Sequence, residues 1–166
     1  MQFDSSLLSL AGFAFAHAVW SVSDLPEGEL LVPLALVEKS GQRQLLRFEA
    51  ESQEEAIAEG KETLARHEAE LDAWVFVREG QIQQQGTVTD VLTVEAKSRG
   101  AQAAVVFVQP FRPFASGKFG LLGAPMVVVG GKTLASSQAE PLVSQIIAGV
   151  QAHSKAAESW EEWCAA

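Results

Sequence analysis

Apolar residues dominate Leu7–Trp20 (LLSLAGFAFAHAVW), and Asp4 or Ser5 stands before them as an N-cap, so this stretch reads as a buried amphipathic helix. After the linker Ser21–Gly28, the continuous apolar run Glu29–Glu38 predicts a strand in which Pro33 places a bulge or an edge. Ser40-Gly41 fits a tight turn, and Arg43–Ala50 alternates, with Leu46, Phe48 and Ala50 inward. Ser52 followed by Glu55 is a capping box for a helix running to about Glu70, whose thin inner stripe is Ile57, Gly60, Leu64 and Leu71. Three strands are expected next: Asp72–Arg78, Thr87–Ala96 and Ala103 to about Phe111, joined through Glu79-Gly80 and Ser98-Arg99-Gly100. The glycine-punctuated loop Pro113–Ala124 leads to a last strand, Pro125–Val129. A final helix starts near Ser137, with Glu140 completing a second capping box and a stripe of Leu142, Ile146, Gly149, His153, Ala156 and Trp160.

The pattern has no internal repeat and no break in composition, so residues 1–166 are expected to form one α+β domain. Its order, α-β-β-α-β-β-β-β-α, gives a mostly antiparallel sheet of about six strands with three helices packed on it.

Composition narrows the function classes. The chain carries 12 Lys plus Arg against 21 Asp plus Glu, a net charge of -9, and such a field repels phosphate. Nucleic acid and anionic membranes are therefore not expected partners. One cysteine, Cys164, excludes an intrachain disulfide and a cysteine-rich zinc site, and places the chain in a reducing, cytoplasmic setting. Met1–Ser6 hold no Lys or Arg, and fourteen apolar-dominated residues are too few to span about 30 Å of hydrocarbon, so neither a signal peptide nor a membrane helix is expected.

Catalytic motifs are scarce. Gly130-Gly131-Lys132-Thr133 ends like a phosphate-binding loop, but Met126 occupies the place of the required first glycine. His17, His67 and His153 each lack a second ligand at metal spacing, and Cys164 lies among Glu161, Glu162 and Trp163, where carboxylates disfavour a thiolate. No metal and no cofactor are expected. Asp90 falls on the apolar phase of its strand with Val88, Leu92 and Val94, so it either reaches a partner such as a loop amide or Arg78, or serves a pocket. Asp90, with His17, is the candidate catalytic group.

Charge is unevenly spread. Ala96–Ala139 contains five basic residues and no acidic one, whereas Glu51–Glu70 holds seven glutamates, among which Glu55, Glu59 and Glu62 form an acidic ridge with Glu51 at helical spacing. Within the basic window, Pro110–Gly123 combines Arg112 and Lys118 with Phe114 and Phe119, a candidate ligand- or partner-binding loop. The competing reading plugs those phenylalanines into the core. Trp160 and Trp163 read as the docking face of the last helix. Three functions follow from these features: a non-enzymatic interaction protein of the inhibitor, immunity or adaptor kind that presents the ridge to a basic protein partner; a small-molecule or anion-binding module using the loop; and a small enzyme centred on Asp90. The opposite charges of ridge and window also predict a homodimer.

Overall fold

A computed structural model describes residues 3–165. Among them four helices, α1 (Ser5–Val22), α2 (Gln53–His67), α3 (Ser136–Val150) and α4 (Ser154–Cys164), pack on one sheet. Its eight strands are β1 (Leu34–Lys39), β2 (Gln42–Arg47), β3 (Ala73–Gln84), β4 (Thr87–Ser98), β5 (Val105–Arg112), β6 (Gly120–Leu121), β7 (Met126–Val129) and β8 (Lys132–Thr133). They run in the order β2-β1-β3-β4-β5-β7-β8, with β6 pairing β5 off that path, and every pairing is antiparallel. The described residues thus form a single α+β domain with four helices and eight strands, two more strands and one more helix than the hydrophobic pattern predicts.

Burial explains the pattern that the strands carry. Alternate residues Val75, Val77, Leu92, Val94, Val105 and Phe107 face a large core built with α1, α3 and α4. On the other face a smaller cluster of Ala35, Val37, Phe48 and Phe76 packs under Ala56 and Leu64 of α2. β1 contributes Leu34 and Leu36 to the first and Ala35 and Val37 to the second, which is why its sequence is continuously apolar rather than alternating. α1 is apolar on almost all sides because it lies between the sheet and α3; its mean hydropathy of 1.4 would suit a membrane span by length and composition, but 61% of it is buried within this fold. Asp4 caps it by accepting a hydrogen bond from the Ser6 N–H at 3.0 Å. Ser52 caps α2 in the same way through the Glu55 N–H at 3.1 Å.

Four expectations are corrected. The first strand begins at Leu34, and Pro33 lies before it, its carbonyl accepting the Phe48 N–H at 2.9 Å, so no bulge is needed. Glu79-Gly80 is not a turn: β3 continues to Gln84, and the reversal falls at Gln85-Gly86, whose φ values of 51° and 79° make a two-residue hairpin. The extension was hidden because Gln81, Gln83 and Gln84 run beyond most of the core and carry little apolar signal. Ser137 does not cap α3, which starts at Ser136 from an Ala135 N-cap that makes no side-chain bond. The last helix breaks at Gln151–His153, and His153 becomes the N-cap of α4. The two-residue strands β6 and β8 are too short to leave any periodicity.

Candidate functional site

The long hairpin β3–β4 carries the apolar phase of the larger core outward until it ends in carboxylates. Glu79 continues the phase of Val75 and Val77, and Asp90 that of Leu92 and Val94; in register, Glu79 lies opposite Leu92 and Asp90 opposite Gln81. The two carboxylates are therefore diagonal neighbours on one face, within reach of each other's field. Gln81 Nε2 donates to Asp90 Oδ1 at 3.2 Å, and the Leu31 N–H donates to Glu79 Oε1 at 3.0 Å. The second bond pins the segment that follows α1, which Gln53 Nε2 also holds by donating to the Leu31 carbonyl at 3.2 Å.

Between that segment and the hairpin opens a cleft of about 240 Å³. Glu27, Glu29, Glu79 and Asp90 supply its charge, and Leu25, Leu30, Phe111 and Phe114 its apolar wall. Phe114 and Leu30 are each 49% exposed at its mouth. No lysine, arginine or histidine among the described residues lines it. Burial pushes the Glu79 carboxyl above the ordinary carboxylate range, the Leu31 hydrogen bond pulls it back, and the Asp90 carboxylate pushes it further up. Chemically, the cleft suits a positively charged group beside an apolar or aromatic surface, where a cation gains from both carboxylates and ring faces. Glu79 could also carry a proton, but no histidine, cysteine or lysine converges on it.

The other sequence candidates lie in several places. Asp90 borders the cleft and bonds Gln81 rather than Arg78, which instead pairs with Glu95 at 3.2 Å. In the loop Pro110–Gly123, Arg112 Nε donates to the Lys118 carbonyl at 2.7 Å, bracing the loop on itself, while the Lys118 side chain is exposed. Phe119 is 4% exposed and packs on Phe111 and Trp163 with ring centroids 5.9 and 5.7 Å apart, so it plugs the core. Phe114, by contrast, projects at the cleft. Glu55, Glu59 and Glu62 are exposed on α2, which covers the opposite face of the sheet, and make no ion pair among the described residues. Gly130-Gly131 forms the β7–β8 hairpin, with φ of 58° and 78°, and leads into a strand rather than a helix.

Two groups escaped the sequence reading. Glu79 reads as part of a turn because Gly80 follows it, although its place in phase with Val75 and Val77 marks it as surely as the same argument marks Asp90. His17 meets His153 across 136 residues, Nδ1 to Nε2 at 3.1 Å, a contact no local spacing announces. His17 also lines a second cleft of about 370 Å³ with Trp20 and Arg47, separated from the acidic one by Leu25, Glu29 and Leu30. Among the described residues no three His, Cys, Asp or Glu side chains are grouped to hold a metal ion. No protein-family model, curated protein or solved structure matches this chain.

Proposed function

We propose that this chain is a non-enzymatic binding protein for a basic protein partner, which inserts an arginine or lysine side chain into the cleft between Glu79 and Asp90. The observation that carries this reading is the carboxylate pair itself, held half-buried against leucine and phenylalanine side chains with no counter-charge lining the cleft. Such a pair is electrostatically unfavourable in the free protein and favourable once a cation arrives. The ridge of Glu55, Glu59 and Glu62 serves the same partner at longer range by raising the encounter rate. Phe114 supplies the aromatic surface on which a guanidinium would stack.

Electrostatic capture has a salt signature. A short peptide bearing two arginines and one leucine should raise the melting temperature at low ionic strength, and the gain should shrink steeply once the Debye length falls to about 8 Å at physiological salt. The same peptide with citrulline at both arginines should give no shift. Equal shifts from both peptides, unchanged by salt, would contradict the proposal.

A further inference from the structure

We propose that the His17–His153 pair is a proton-operated latch on α4: it holds the helix on the core while both rings are neutral and frees it when either takes a proton. His153 lies at the break between α3 and α4, and its Nδ1 accepts the Ala156 N–H at 3.1 Å, the capping bond of α4. An accepting Nδ1 carries no proton, so the ring proton of neutral His153 sits on Nε2. That Nε2–H then donates to His17 Nδ1 at 3.1 Å, which leaves the proton of His17 on its own Nε2. Both rings are thereby fixed in one tautomer, and each has only Nδ1 left to protonate. A proton on His153 Nδ1 breaks the cap. A proton on His17 Nδ1 sets two N–H groups against each other.

Compensating negative charge around the pair is scarce. Phe13 lies 5.2 Å from the His153 ring, and Trp20 lies 5.7 Å from both rings. Arg47 of β2 faces His17 and opposes its charging, and Glu29, in the segment after α1, is the one carboxylate that lines the same cleft. On α4 the nearest charge in sequence is the exposed Lys155. Burial first, then His153 and Arg47, hold His17 below its ordinary value; burial likewise lowers His153, with a backbone hydrogen bond acting the other way. A histidine depressed in the docked state binds fewer protons there than when released. Docking is therefore fully supported above about pH 6.5 and is lost as the pH falls toward the lowered values. What α4 would uncover is the aromatic surface under Trp160 and Trp163, namely Phe15 and Phe119.

Backbone amide exchange of the whole chain, expressed as protection factors between pH 8 and 5, tests the latch. Protection in α4 should fall by about tenfold for each unit by which the ring values are depressed, while the β3–β4 amides keep theirs. His153→Asn retains a capping oxygen without a titrating ring, and should leave α4 protection flat across that range. Should this variant fail to fold, ring-nitrogen NMR of the native chain decides, with His153 expected as the Nε2–H tautomer titrating below about 6.5. An α4 that loses protection together with the sheet, an unchanged acid release in His153→Asn, or a His153 that titrates at or above its ordinary value would overturn the proposal.

Discussion

Replacing Gly12 by alanine is expected to destabilise the fold by about 3 kcal/mol, reversing the gain of up to about 1 kcal/mol that the same change brings inside an ordinary helix. The reason is the crossing of α1 and α3. A Cβ on Gly12 would run into the carbonyl oxygen of Ile146 and lie 2.8 Å from the Cα of Gly149. Seen from the other helix, a Cβ on Gly149 would lie 2.8 Å from the Ser9 carbonyl oxygen and 3.1 Å from the Cα of Gly12. The obstacles are backbone atoms on both sides, so no rotamer change relieves them and the helices must separate. At Gly60 the obstacle is a side chain rather than backbone, the Phe76 ring at 2.5 Å, so Gly60→Ala should cost less. Urea unfolding of the three alanine variants checks the order. A Gly12→Ala protein as stable as the parent would mean that the helices do not approach so closely.

A second large effect is expected at Trp160, where truncation to alanine should cost about 3–5 kcal/mol. Trp160 is 7% exposed, meets the Phe15 ring edge-on at 5.3 Å and stands 6.0 Å from Trp163, which in turn reaches Phe119. The chain of rings ties α4 to α1 and to the loop whose preceding turn, Phe114–Ser116, walls the acidic cleft. Trp20 is 42% exposed, so Trp20→Ala should cost far less and serves as the control in the same unfolding experiment. A loss below about 1 kcal/mol at Trp160 would mean that the ring contacts with Phe15 and Trp163 do not hold α4 on the core.

Elements with a buried phase were readable from the sequence because period 2 and period 3.6 leave different marks. Leu34–Val37 and Ala73–Val77 are legible for a different reason, as continuously apolar runs that feed both faces of the sheet. The outer part of β3, Gly80–Gln84, is not, since its mostly exposed glutamines carry no apolar phase to read, whereas β4 is legible from Thr87 onward. The site was half legible. Asp90 stands out as a carboxylate in an apolar phase, whereas the glycine that follows Glu79 gives it the look of a turn residue. The phenylalanines of Pro110–Gly123 divide, Phe119 inward and Phe114 outward, and only the three-dimensional course of the loop separates them. The histidine pair depends on a contact across 136 residues and had no sequence signal at all.

The cleft also makes a claim about protons. Burial and Asp90 raise Glu79, so a cation bound between the two carboxylates must lower it again and expel a proton wherever Glu79 is partly protonated. Calorimetric titration of the arginine peptide, in two buffers of different ionisation enthalpy between about pH 4.3 and 7, reads that release directly. The account predicts proton release with native protein and with a variant carrying Glu55→Gln, Glu59→Gln and Glu62→Gln, and neither release nor measurable affinity with Glu79→Gln plus Asp90→Asn. Binding that survives in the Glu79–Asp90 variant but vanishes in the ridge variant would contradict it.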